Sequence, residues 1–388
     1  MGLILLVLQL PAVALLLARL LPGIKRPTPL APAGEIPAYL GQVSVVIPTL
    51  NEVQRLGACL AGVQRQGYSV REILVVDSHS QDGTRELVAA QQTDDPRIRL
   101  LSDPPLPADW VGRPWALDWG WRQSSPGSTW ILNLDADTRP QIGLVPALLQ
   151  LAIQENYDVI TLSPQFILKY PGEWWLHPAL LMTLIYRFGA TGINPAVPER
   201  LMANGQCCLV RRAVLEKMLG YEVAKSSFCD DVTWVRNVAK QGYKVSFLDG
   251  SRVLQVRMYE GFWETWREWG RSLDLKDATS AAQLWGDNWF LLCVQGLPIW
   301  FVLVSTFLPN NPVNQMWFWV NLFLVLIRWG MLLAIRPVYA GWDRHSWPFW
   351  LSPLADSLAV IRIILSSVTR PKRWRGRYYA ATNRVKAR

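Results

Sequence analysis

Charged residues are scarce in this 388-residue chain, 18% against 51% hydrophobic. That balance excludes a disordered or fibrous protein. Cysteine is scarce as well. Cys59, Cys207, Cys208, Cys229 and Cys293 are odd in number, unpatterned and without CxxC, so neither a disulfide framework nor zinc is expected. The three His are too scattered for a metal site, and internal repeats and low-complexity tracts are lacking. Acids are missing entirely from Arg370 to Arg388, a tail with eight Arg or Lys; without those eight charges the net +9 falls to +1. A charge concentrated in this way argues against nucleic acid as a partner and for an anionic membrane face.

Long apolar runs are plentiful. Residues 3–21 give nineteen mostly apolar positions, about 28 Å of helix, enough to cross a bilayer. No basic stretch precedes them and no small-residue cleavage site follows, so 1–21 is expected to be an uncleaved anchor rather than a signal peptide. Arg19, Lys25 and Arg26 put the downstream chain in the cytosol by the positive-inside rule. Residues 22–42 form a Pro-rich, semi-rigid link. Two spans, 288–308 and 315–335, lie within a C-terminal membrane region, 286–369. In 347–366, Ser352, Pro353, Asp356 and Arg362 suit a re-entrant or interfacial segment better than a crossing; the alternative is a fourth span with the tail outside. Arg328, toward the cytosolic end of its span, is expected to snorkel. The tail, 370–388, is expected on the cytosolic side.

Between the membrane segments, β-rich runs at 43–48, 72–77, 97–101, 130–135 and 157–162 alternate with helix-compatible stretches at 53–66, 84–92, 114–123 and 141–155. Such alternation predicts a mostly parallel sheet covered on both faces, with ligands beyond the carboxyl ends of the strands. Acidic loops lie at those ends. LDAD (134–137) carries Asp135 and Asp137 to one side of a strand end, a pair suited to Mg²⁺ or Mn²⁺ on a diphosphate. DSHSQDGT (77–84) and PTLNE (48–52) follow two further strands, and Asp230 and Asp231 stand at a helix start. Each loop alone reads as an ordinary capped turn; four in one domain point to a site, with a carboxylate of 230–231 as general base.

VSVVIPTLNE, ILVVDSHSQDGT, GRPWAL, LNLDADTRP, GQCCLVRR and the acidic pair followed by KQGYKV, in this order over about 43–275, resemble the family 2 glycosyltransferases. The resemblance implies an α/β fold of GT-A type, a mostly parallel sheet domain (43–285) flanked by transmembrane helices. It implies a nucleotide-diphospho-sugar donor bound at Pro48, Glu52 and Asp77, with Asp82 supporting that loop and Asp135 near the ribose and sugar. Asp137, with Asp135, would hold Mg²⁺ or Mn²⁺, and Asp231 would be the base. Asp230 stands where the family often has Glu, leaving the choice within the pair open. Arg113 replaces the usual Lys and would neutralise phosphate; Arg257 is a candidate second cation. No QxxRW is present, so single transfer is expected rather than polymer synthesis. WVGRPWALDWG and VRMYEGFWETW look more like the membrane-bound branch acting on carotenoids and hopanoid-type lipids, nearest in type to a cyanobacterial carotenoid 2'-O-glycosyltransferase.

In 261–275, Trp263, Trp266, Gly270 and Leu273 recur at helical spacing with charges largely on other faces. This reads either as a helix at headgroup level or as a core helix. Residues 173–192 read as a second interfacial helix or a lipid-acceptor wall, not a span. The expected acceptor is a membrane lipid: a carotenoid, a hopanoid or glycerolipid, or a polyprenyl phosphate. A non-enzymatic membrane scaffold of the same fold is the alternative of another class.

Overall fold

A computed structural model describes residues 2–193, 195, 197–371, 373–374 and 377–379. Five tail cations, Lys372, Arg375, Arg384, Lys386 and Arg388, lie outside the described residues. The chain divides into two compact units. One comprises Thr28–Phe166, Asn194–Met258 and Pro371–Arg388, the other Met1–Pro27, Ile167–Ile193 and Tyr259–Arg370.

The first unit is built on a seven-stranded sheet. Its strands are β1 (Val43–Thr49), β2 (Val70–Asp77), β3 (Ile98–Ser102), β4 (Trp130–Leu134), β6 (Val159–Ser163), β8 (Cys207–Arg211) and β9 (Val245–Asp249), in the order β3-β2-β1-β4-β8-β6-β9. The short strands β5 (Thr138–Pro140), β7 (Gln165–Ile167) and β10 (Leu254–Val256) lie outside this sheet, β10 pairing with β5. The Val/Ile-rich runs are buried almost throughout, as expected of strands covered on both faces. Register sets the working edge: Thr49 pairs with Asp77 and Asp77 with Ser102, so β1, β2 and β3 end level. β8 runs antiparallel to β4 and β6. Its reversed direction places Leu134 opposite Cys207, and so delivers Gly205 and Gln206 to the edge where Asp135 emerges. The helix Gly112–Arg122 lies hard against this sheet, since a Cβ on Gly120 would sit 2.5 Å from Val46 and 2.9 Å from Val76. It begins two residues earlier than the sequence predicts, which puts Arg113 in its first turn. From Thr28 onward the Pro-rich link is laid on this unit: Leu30 N–H donates to Asp249 O (2.8 Å) and Ala33 N–H to Gly143 O (3.2 Å).

In the second unit three helices among the described residues are long and apolar enough to cross a membrane: Leu3–Lys25, Pro312–Val338 and Trp347–Val368. A fourth candidate, Ala281–Gly296 with Pro298–Ser305, is bent by 49°. Pro298 and the π-helical turn Leu292–Gly296 account for the bend. One expectation is revised. Arg328 does not snorkel: it is 3% exposed and grips Asp356, with Nε on Oδ2 at 2.8 Å and Nη2 on Oδ1 at 3.0 Å. Ser352 accepts from the same guanidinium, and Gln295 donates to Asp356. Ser352 and Asp356, two of the polar residues in 347–366, are thus both partners of Arg328, in a segment of spanning length.

The helices Pro171–Phe188 and Gly261–Ser272, placed by sequence within the sheet domain, belong to this apolar unit. Gly261–Ser272 has a buried and an exposed Trp. Trp269 is buried, edge-on to His177, whereas Trp263 is 74% exposed. Gly270 leaves room for Arg362, whose guanidinium also lies over Trp266.

Candidate functional site

Four loops meet at the carboxyl edge of the sheet. After β1, Asn51 adopts a left-handed conformation (φ 56°) and ties to the loop after β2: its N–H donates to Ser80 Oγ (2.8 Å) and its Oδ1 accepts from Gln81 N–H (2.9 Å). Pro48 is half-buried in β1 opposite Val76. Glu52 is buried at the start of the helix Val53–Gln64, its N–H on Thr84 Oγ1 and its carboxylate 3.5 Å from Arg55. Asp77 is fully buried, accepting from Ser80 N–H (3.0 Å) and Arg85 (3.1 Å). Asp82 accepts from the N–H groups of Val53 and Thr84 and from the Thr84 hydroxyl. Its work is to shape the loop.

Arg113 is the hub. Its Nε donates to Asp135 Oδ1 (2.9 Å), Nη2 to Gly205 O (2.7 Å), and Nη1 to Asp230 Oδ2. It therefore joins the DxD turn, the residues before β8 and the acidic helix start. Burial alone would lower its affinity for the proton, but Asp135, Asp230 and Asp231 hold the guanidinium well above its ordinary value. In this structure its charge is matched by two carboxylates, Asp135 and Asp230. Glycine at 205 is what allows the approach, because a Cβ there would lie 2.6 Å from Nη2.

The acidic pair splits by environment. Asp230 is 6% exposed, and burial pushes its carboxyl up to about 6; Arg113 opposes that rise, while Asp231 and Asp135 add to it. Asp231 is more open, accepting from Gly205 N–H (2.7 Å) and Val232 N–H (2.8 Å). Asp137, also partly exposed, accepts from Gln206 Nε2 (3.5 Å), and its carbonyl accepts from Arg257 N–H (3.1 Å). Arg257 thus stands beside the DxD turn through its backbone.

Among the described residues no group of three or more His, Cys, Asp or Glu is arranged to hold a metal. Asp135 and Asp137 supply two carboxylates, a donor set that fits a hard divalent cation completed by water and ligand oxygens. The thiols are unsuited to a catalytic part: all five are free, and burial pushes Cys59 up to about 12.

Sequence reasoning missed Gly205, Gln206, Asp103 and the tail residues Arg377 and Tyr379. Asp103, 4% exposed just past β3, accepts from the Ser78 hydroxyl (2.7 Å). The acidic-loop rule applied after β3 would have found it. Gly205 and Gln206 lie in the GQCCLVRR motif, but only the reversed β8 brings them to the edge. Nothing in the tail sequence signals that Arg377 donates to Ser78 O (2.6 Å).

Residues 44–219 match the family model described as Glycosyl transferase family 2. Glycosyltransferase AglE of Haloferax volcanii is 35% identical over 207 residues, which cover 53% of this chain and 64% of that relative. The matched part thus spans less than two thirds of the relative's length. Among solved structures, the mannosyltransferase PcManGT from Pyrobaculum calidifontis, in complex with GDP-Man and Mn2+, is similar over 95% of this chain and 98% of its own, with a TM-score of 0.52 and 17% identity. At that identity the likeness is one of fold. The mostly parallel sheet with its reversed β8 and the likeness over the whole chain lead to one assignment, an α/β fold of GT-A type whose residues 44–219 are similar to the glycosyl transferase family 2 model.

Proposed function

We propose that the chain moves a single sugar from a nucleotide-diphospho-sugar to a hydroxyl of a membrane lipid, inverting the anomeric carbon. The observation that carries this reading is the meeting of the Asp135–Asp137 turn, Arg113 and the Asp230–Asp231 helix start at the sheet edge that also bears Asp77. Pro48, Glu52 and Asp77 surround the base and ribose, and Asp82 fixes their loops. Asp137 and Asp135 would hold Mg²⁺ or Mn²⁺, which supplies charge neutralisation at the departing diphosphate. Arg257 adds a second cation there.

Asp231 acts as the base, because Asp230 is buried against Arg113 while Asp231 is partly open and oriented by two backbone N–H groups. The acceptor oxygen attacks the anomeric carbon as Asp231 takes its proton. The bond from that carbon to the diphosphate oxygen breaks, and its electron pair leaves with the nucleoside diphosphate. Arg113 ties the DxD turn to the base loop, so that both keep their places through the displacement.

Helices of spanning length support a lipid acceptor. The motifs at 110–120 and 256–266 favour a carotenoid over a hopanoid or glycerolipid, and the positive-inside pattern favours a cytosol-facing site. The test is a screen of UDP-, GDP- and dTDP-sugars on detergent-purified protein with added membrane lipid, reading Mn²⁺- or Mg²⁺-dependent release of nucleoside diphosphate. Release from one donor, lost in Asp137→Asn, is the expected result. No release from any donor would favour the scaffold alternative.

A further inference from the structure

The last described residues of the chain lie in the sheet-bearing unit and touch three of its donor-side loops. Arg373–Trp374 and Arg377–Tyr378 pair antiparallel. Arg377 Nη2 donates to the carbonyl of Ser78, the residue after Asp77 (2.6 Å). The Tyr379 hydroxyl accepts from Gly112 N–H, next to Arg113 (3.4 Å), and its ring meets Phe228 edge-on (5.2 Å), two residues before Asp230. A segment that sequence alone assigns to the membrane surface thus bridges the loop after β2, the helix of Arg113 and the loop of the catalytic base.

Charge decides what Arg377 can do there. Asp77 is already paired with Arg85. Asp103 is buried, hydrogen-bonded to the Ser78 hydroxyl, and feels Arg377 as a neighbouring positive charge; burial nevertheless holds its carboxyl above the ordinary value. Arg377 and Asp103 therefore flank Ser78 as an approximately neutral pair. A balanced guanidinium is a weak phosphate ligand, yet it keeps five directed N–H donors, of which one is on Ser78. Donors beside a carboxylate complement a ring that presents a carbonyl acceptor next to an N–H. Uracil, thymine and guanine have that edge; adenine and cytosine present an amino group in place of the carbonyl.

We propose that Arg377, set against Ser78 and Asp103 and held by the Tyr379 contacts, is a specificity-determining residue of the donor site that selects nucleotides with a keto base. The inference rests on the transferase reading above. It is tested by titrating the full chain in detergent with UDP, GDP, CDP and ADP in the presence of Mn²⁺. Wild type is expected to bind UDP or GDP at least tenfold tighter than CDP and ADP. Arg377→Ala should weaken the preferred keto nucleotide about tenfold and leave CDP and ADP unchanged, with partial recovery in Arg377→Lys. Tyr379→Phe, which keeps the ring but removes the acceptor for Gly112, should weaken the same nucleotide a few-fold. Equal weakening of all four nucleotides in Arg377→Ala, or no change in any, overturns the proposal while leaving the transferase reading intact. A folded wild-type chain that binds none of them overturns both.

Discussion

Two buried arginines make the same kind of bond in different settings. Arg113, in the sheet-bearing unit, holds Asp135, Asp230 and the carbonyl of Gly205. Arg328, among the apolar helices, holds Asp356 and Ser352. Both are charge pairs withdrawn from water, so each needs its partner to offset desolvation. The surroundings differ. The groups around Arg113 come from separate loops and include the partly open Asp135 and Asp231, with Asp137 in the same turn as Asp135. Those around Arg328 come from helices, and both Arg328 and Asp356 are nearly inaccessible. The lesson is that a buried ion pair marks a site only when it gathers groups that can still reach a ligand; otherwise it knits a scaffold.

The sharpest way to break this comparison is to remove the open carboxylates. Asp137→Asn and Asp231→Asn should each lower kcat by about 10²–10⁴-fold with melting temperature little changed. Turnover that survives Asp231→Asn but not Asp137→Asn would instead point to an anionic acceptor such as a polyprenyl phosphate, which needs little base. Arg328→Met should do the opposite. It leaves Asp356 buried without its cation, at a cost of about 3–5 kcal/mol, read as a lower melting temperature in detergent. Activity per folded molecule should persist, and adding Asp356→Leu should restore much of the stability. Loss of activity without loss of stability would contradict a scaffold role for this pair.

Arg113→Lys keeps the charge but cannot span three acceptors held by a planar fork. At about 1.5–3 kcal/mol for a charged hydrogen bond, kcat/KM should fall about 10–100-fold. An unchanged value would remove Arg113 as the tie between loops. The smallest effect is a pH limb. Asp230 has a folded-state value of about 6, above the roughly 3.9 of an unfolded Asp. Its contribution to stability is therefore fully present below about 3.9 and lost as pH rises through about 6. Activity runs the other way, because a proton on Asp230 removes one charge holding Arg113. Turnover should fall several-fold between pH 7 and pH 5, and Asp230→Asn should flatten that limb. A limb unmoved in the variant would exclude Asp230 as its source.

Much of the sheet domain was legible because its strands are short Val- and Ile-rich runs, the first four followed by acidic loops. The expected runs at 43–48 and 72–77 appear as Val43–Thr49 and Val70–Asp77. β8 was not legible as a strand, since CCLVR is short and buried on both faces and carries no alternation. Nor could composition distinguish a snorkelling Arg328 from a paired one, because the partner, Asp356, is 28 residues away on another helix.

By itself the sequence determined the class of fold. Local hydrophobic patterning sets strands and helices, and strand ends in a parallel sheet must carry the acids that follow them. The presence of apolar segments of spanning length was equally a local property. Tertiary structure alone decided which polar groups meet: Arg113 with Asp135 and Asp230, Arg328 with Asp356, and Arg377 with the carbonyl of Ser78. The physical reason is range. Secondary structure follows from neighbours within a few residues, whereas ion pairs join groups whose sequence separation carries no signal until the chain is packed.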